Sequence, residues 1–292
     1  MGFLSALFGG KTETPEEKQK QNEEKSFNIF KYDGVKASKM GQFDYAIRCF
    51  NEALKIHDDL ETRDYLSQAY LRTGHFDEAL KQMEHLVAAE PRNVALLLQK
   101  AHVYHLQENY QAMHEICDKA MAIDPTHAFA CYADAQAQLG LHNPILAVAR
   151  LTQALSLNPN MGSAMLLRSI TLLQMGDVDG AMKDADHLLA ANPGNEDVMM
   201  LKARAEYRAG HPDAAIQMYG MVIETNPFHA EAYRERGQVK YEQGDAAGAQ
   251  EDMKKVLEIN PESLAHVSGD FSAEGIENKV KQAYSFINPF GI

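Results

Sequence analysis

The sequence predicts an all-α solenoid of seven helix-turn-helix repeats, closed by a C-terminal capping helix. Three observations carry this. Pro91, Pro125, Pro159, Pro193, Pro227 and Pro261 stand 34 residues apart, and a fixed period of that length marks a repeat array. Gly41, Gly74, Gly176, Gly210 and Gly244 follow a second phase of the same period, with the step from Gly41 to Gly74 one residue short. Small residues fill two more columns: Gly34, Ser67, Ala101, Ala135, Ser169, Ala203 and Gly237, then Ala46, Ala79, Met113, Ala147, Ala181, Ala215 and Ala249.

The elements follow in chain order. Residues 1–13 form an apolar N-terminal segment expected to be flexible, because Gly9-Gly10 separates it from the next helix signal. It lacks a basic n-region and its apolar run is short for a signal peptide. Ala6 stands where a myristoylation signal needs Ser or Thr, so a cytoplasmic protein is expected. Phe3, Leu4, Leu7 and Phe8 would share one face of a short helix. Residues 1–10 are therefore expected to support weak docking, to a membrane surface or to another copy of the chain. Residues 14–26 read as a helical extension, with Thr14 as N-cap, Pro15 at the first helical position and Glu17 completing a capping box.

Residues 27–263 hold the repeats. In each, a first helix ends near the periodic glycine, which accepts the left-handed conformation of a helix C-terminus. Asn109, Asn143, Asp177 and Asp245 then stand as N-caps, with Pro144 and Pro212 directly at the first helical position. The second helix stops before the periodic proline, which cannot extend it. The small columns mark close helix crossings, where large side chains would force the axes apart. Met113 is the bulky exception, which predicts looser packing in repeat three. Glu108 and His142 replace the turn glycine, which predicts a different bend in repeats three and four. Residues 264–292 complete the chain. Ser272 can cap a last helix with Ile276, Val280, Ala283, Tyr284 and Ile287 on one face, suited to covering an exposed terminal repeat.

The repeats resemble tetratricopeptide repeats. Repeat one carries Gly34, Gly41, Phe43, Ala46, Phe50 and Ala53, with Asp58 in place of the proline. Repeat two carries Ser67, Tyr70, Gly74, Phe76, Ala79 and Pro91. The early tryptophan of the family is absent, and Phe30, Leu97, Met165 and Tyr233 hold its position in four repeats. The resemblance implies a right-handed superhelix whose first helices line a concave groove that binds a protein or peptide partner. By matching position, that groove comprises Lys31, Val35 and Ser38; Asp64, Gln68 and Leu71; Leu98, His102 and His105; Tyr132, Gln136 and Leu139. It continues with Leu166, Ile170 and Leu173; Met200, Arg204 and Tyr207; Arg234, Gln238 and Tyr241. Apolar residues, tyrosines and arginines are the types that anchor interfaces. They select Leu98, Tyr132, Leu139, Leu166, Ile170, Leu173, Met200, Arg204, Tyr207, Arg234 and Tyr241 as the expected peptide-binding set. A family branch that clamps chaperone C-termini uses Lys, Asn and Arg. Lys31 fits it, but Val35 replaces the Asn and Asp64 would repel a carboxylate.

Composition narrows the function further. Lys plus Arg number 28 against 41 Asp plus Glu, a net charge of −13, which opposes a nucleic-acid partner. No apolar run reaches membrane-spanning length. Cys49, Cys117 and Cys131 contain no Cys-x-x-Cys pair, which points to a reducing compartment and away from a zinc ribbon. No phosphate-binding loop or catalytic triad stands out. A non-enzymatic scaffold or adaptor without cofactor is expected, with self-association through the N-terminal segment as the alternative. A metal-dependent regulator or enzyme would rest on His102 and His105, three apart on a helix, but no third ligand joins them at a metal-binding spacing.

Overall fold

In the computed structural model, residues 14–260 are described. The N-terminal docking segment and the C-terminal capping helix lie outside the described residues. Among the described residues there are fourteen α-helices and no strand. They run α1 Pro15–Lys39, α2 Phe43–Ile56, α3 Leu60–Arg72, α4 Phe76–Ala89, α5 Val94–Leu106, α6 Tyr110–Ile123 and α7 Ala128–Gly140. Then follow α8 Pro144–Leu157, α9 Gly162–Met175, α10 Val178–Ala191, α11 Glu196–Arg208, α12 Pro212–Thr225, α13 Ala230–Glu242 and α14 Ala246–Ile259. The helices divide into two compact units between Leu141 and His142. None is long and apolar enough to cross a membrane.

Within each unit, consecutive helices pack as helix-turn-helix pairs, the architecture of an all-α solenoid. The first helix starts on a complete capping box: the Thr14 hydroxyl accepts from the Glu17 amide, and the Glu17 carboxylate accepts from the Thr14 amide. Asn109, Asp177 and Asp245 cap α6, α10 and α14 through their side chains, whereas α8 starts after Asn143 without a side-chain cap, on Pro144. The 33-residue first step has a local cause. Three residues connect α2 to α3, where four connect α4 to α5 and α6 to α7. Asp58, Asp59 and Glu61 gather there to bind Arg63 and Lys31.

Both small columns are buried throughout. A Cβ on Gly34 would sit 2.5 Å from the Phe50 ring, so the first crossing admits nothing larger than hydrogen. Two expectations are corrected here. Met113 does not loosen repeat three: it is 2% exposed and packs with Leu97, Ala101, Ile116, Cys117 and Ala120. Its unbranched side chain bends to fit where a branched one would wedge. Glu108 and His142 do not bend their repeats differently either. Their φ values of 56° and 60° are left-handed, like the 74–88° of the turn glycines. The repeat frame imposes the turn on whichever residue stands there.

Candidate functional site

In the first unit, α1, α3, α5 and α7 line two adjoining hollows of about 670 and 520 Å³. Gln68, Leu71 and His102 belong to both, so the hollows form one channel. Its walls follow from helix geometry. Residues three and four apart share a face, which aligns Val35 with Ser38 on α1, Gln68 with Leu71 on α3, Leu98 with His102 and His105 on α5, and Tyr132 with Gln136 on α7. Asn93 anchors α5 by accepting from the Ala95 and Leu96 amides.

Apolar surface is left open along this channel. Phe129 is 58% exposed and sets its ring edge-on against Tyr132 at 5.8 Å. At the other end Arg72 lies over the Phe43 ring at 5.4 Å. The His102 and His105 rings stack at 6.5 Å. Burial, then the neighbouring His105 charge, holds His102 below the usual imidazole value. The Nδ1 atoms of His105 and His127 are buried without a hydrogen-bond partner. An unmet buried polar atom costs about 1–3 kcal/mol, and an incoming donor or acceptor would recover part of that.

Of the expected binding set, Leu98 and Tyr132 line this channel together. Leu139 is half-buried on α7 outside both hollows. The remaining residues lie in the second unit. Ile170 is 37% exposed, and Leu166 packs beside the cluster of Leu173, Ala181, Leu201 and Ala205. Leu173 and Met200 are corrections: at 4% and 3% exposure they belong to the core. The following repeat covers them, Leu201 and Ala205 packing by Leu173, and Ala232 and Val239 by Met200.

The polar members of the set have partners within the fold. Arg204 donates to Glu235, which also accepts from the Tyr219 hydroxyl at 2.9 Å. Burial opposes the Arg204 charge most strongly, but the Glu235 hydrogen bond together with the charges of Glu235 and Glu231 outweighs it and raises its proton affinity. Tyr207 donates to Glu242, and burial followed by that bond pushes its phenol up to about 12. Arg234 pairs with Glu231 at 3.2 Å. Tyr241 packs beside Tyr233, Met253 and Val256. Val35, Gln68, Leu71 and His102 stand at expected groove positions but outside the expected binding set, which drew on the middle and C-terminal repeats. Phe43, Arg72, His127 and Phe129 fall outside those positions. Phe129 carried one signal, an aromatic three residues before Tyr132.

His102 and His105 are not the pair with further ligands at hand. Among the described residues, the group close enough to hold a metal is His114, Asp118 and Asp134, with ligand atoms within 4.8 Å of one another. His114 Nδ1 lies 2.6 Å from Asp134 and Nε2 lies 3.4 Å from Asp118. Each carboxylate thus faces a different ring nitrogen, which suits a hydrogen-bonded tie between α6 and α7. Lys31 is occupied as well, 2.8 Å from Asp59 and 2.6 Å from Glu61, and so is not poised as a carboxylate clamp.

Models of the tetratricopeptide repeat match residues 60–103, 94–127, 132–196, 172–235 and 230–263. Comparison with curated protein sequences gives no match. The fold is similar to a tetratricopeptide repeat protein from Parabacteroides merdae, with 18% identity and a TM-score of 0.64 over 88% of this chain and 98% of that one. It is similar to PilW, a type IV pilus biogenesis factor, with 19% identity and a TM-score of 0.61 over 77% and 97%. YrrB, described as having an unusual peptide-binding site, gives 16% identity and a TM-score of 0.56 over 68% and 97%. These identities speak for the fold alone. With the repeat models matching residues 60–127 and 132–263, and the helix pairs and turn positions agreeing, the chain belongs to the tetratricopeptide repeat family.

Proposed function

We propose that this protein is a non-enzymatic adaptor that holds a peptide segment of a protein partner in the channel lined by α1, α3, α5 and α7. The observation that carries the reading is the pair of adjoining hollows with open apolar walls and unpartnered imidazole nitrogens. An apolar cleft with a few convergent polar groups is the form that ligand sites take. The solved relative YrrB, described as having a peptide-binding site, offers a precedent on a similar fold. Leu71, Leu98, Phe129 and Tyr132 are the proposed apolar contacts. A reducing, cytoplasmic setting suits three buried cysteines that form no disulfide among the described residues.

Selection from a displayed random-peptide library tests this. Selected peptides are expected to lose binding to Leu71→Asp and to Tyr132→Ala, while circular dichroism melting shows both variants folded. Peptides that bind both folded variants as well as the parent protein would place recognition elsewhere and defeat the reading.

A further inference from the structure

The channel runs against the charge of the chain. The protein carries −13 overall, and at its average frequency of Asp and Glu the two linings would hold about three carboxylates; they hold none. Instead they present Lys39, Arg72 and the imidazoles of His102, His105 and His127. We propose that this channel selects an acidic peptide segment, its carboxylates meeting the three imidazoles and its apolar side chains seated by Phe129 and Tyr132, with affinity that rises as pH falls. This rests on the peptide-adaptor reading above and specifies its ligand.

His127 gives the second observation. The residue before a first helix is the N-cap, and in this column Asp59, Asn93, Asn195 and His229 all cap through their side chains. His229 accepts from the Ala232 amide at 3.1 Å through Nδ1. His127, three repeats earlier, makes no such bond, and its Nδ1 is buried and unpartnered at the edge of the second hollow. A residue able to cap its helix thus leaves that nitrogen unused beside the channel.

The charges around the imidazoles set the sign of the pH response. In the lining, Lys39 comes from α1, Tyr65 and Arg72 from α3 and Tyr132 from α7, while α4 presents Met83 and α6 presents Met113. Tyr110 of α6 sets its ring edge-on to His105 at 6.0 Å, and Asp64 of α3 and Asp124 before α7 lie outside the lining. Asp64 accepts from Gln68 at 2.9 Å through Oδ2 while its Oδ1 is buried without a partner, and Asp124 accepts from the Thr126 hydroxyl at 2.7 Å and is close enough to interact with the charge of His127. In the free protein, burial and the mutual repulsion of His102 and His105 disfavour a charge on His102. A peptide carboxylate reverses that balance, so binding takes up protons. The ligand carboxylates stay ionised across the range, since they titrate near pH 4. Each imidazole whose proton affinity rises by one unit on binding contributes up to about tenfold in affinity between about pH 8 and about pH 6.

The test selects displayed random peptides on the full chain at about pH 6, then measures the selected peptides by calorimetry at about pH 6 and about pH 8. Enrichment of Asp and Glu beside apolar residues is expected. So are about tenfold tighter binding at the lower pH with proton uptake, and loss of that pH response in the triple variant His102→Gln, His105→Gln, His127→Gln. The pH response of the parent protein stands as a test even if the variant folds poorly. Peptides that need Tyr132 but show no acidic bias, or no pH response, would overturn this inference and leave the adaptor reading intact. Peptides indifferent to Tyr132→Ala and Leu71→Asp would overturn both.

Discussion

Glu108 and His142 stand at turns where the other repeats use glycine, and both hold left-handed backbone. That conformation costs a residue with a Cβ roughly 1–2 kcal/mol, whereas glycine pays only a larger entropy loss on folding. Glu108→Gly is therefore expected to raise the urea unfolding midpoint, by about 1 kcal/mol of stability. The converse change, Gly74→Ala, is expected to lower stability by a similar amount. Its φ is 76°, and no atom lies within 4 Å of the added Cβ, so the cost is conformational and free of steric clash. Midpoints unchanged in both variants would show that the turns carry no strain.

At the scale of the element, the crossing alanines define what the helix pairs tolerate. Ala181 is fully buried, and its carbonyl accepts from the Ser169 hydroxyl at 2.7 Å, bringing two small columns into direct contact. Ala181→Leu is expected to overpack this crossing and cost about 1–3 kcal/mol by chemical denaturation. A midpoint equal to that of the parent chain would refute close approach there. The ties between helices obey a different logic. Glu235 is fully buried and accepts from both Arg204 and Tyr219, so Glu235→Ala is expected to cost about 1–3 kcal/mol by unpairing the Tyr219 hydroxyl and leaving Arg204 with Glu231 alone, 3.0 Å away. A loss below 1 kcal/mol would show that water satisfies Arg204 as well as Glu235 does. The same pair explains why Arg204 read as an interface anchor in the sequence. Its partner lies 31 residues away on another repeat, and the repeat pattern marks helix faces without showing which polar groups meet.

For the whole molecule, what was legible was what repeats. Each repeat meets its neighbour at the same offset, so glycine turns, small crossings and proline stops recur at the sequence period and reveal the helices. The groove assignment was only partly legible, because burial depends on neighbours that the period does not identify. Leu173 and Ile170 lie on one helix, yet Leu201 and Ala205 close over the former while the latter stays open. The channel also draws on Phe129, whose place was set by the start of α7. A property that sums over the molecule is its response to alkali. Burial, then the charges of Asp134 and Asp118, pushes the Cys117 thiol up to about 12. Burial and Glu242 push Tyr207 to about 12, and burial with Glu235 raises Tyr219 as well. Each group keeps its proton in the folded chain at a pH where the unfolded chain has released it. The folded state then binds more protons, so stability is complete below the ordinary thiol range and falls as pH rises towards 12. Urea midpoints are expected to decline from about pH 8.5 upwards, and the decline should be shallower in Cys117→Ala when each protein is referred to its own neutral-pH value. Parallel pH profiles for the two proteins would mean that Cys117 ionises as readily folded as unfolded, and the buried-thiol account of alkaline sensitivity would fail.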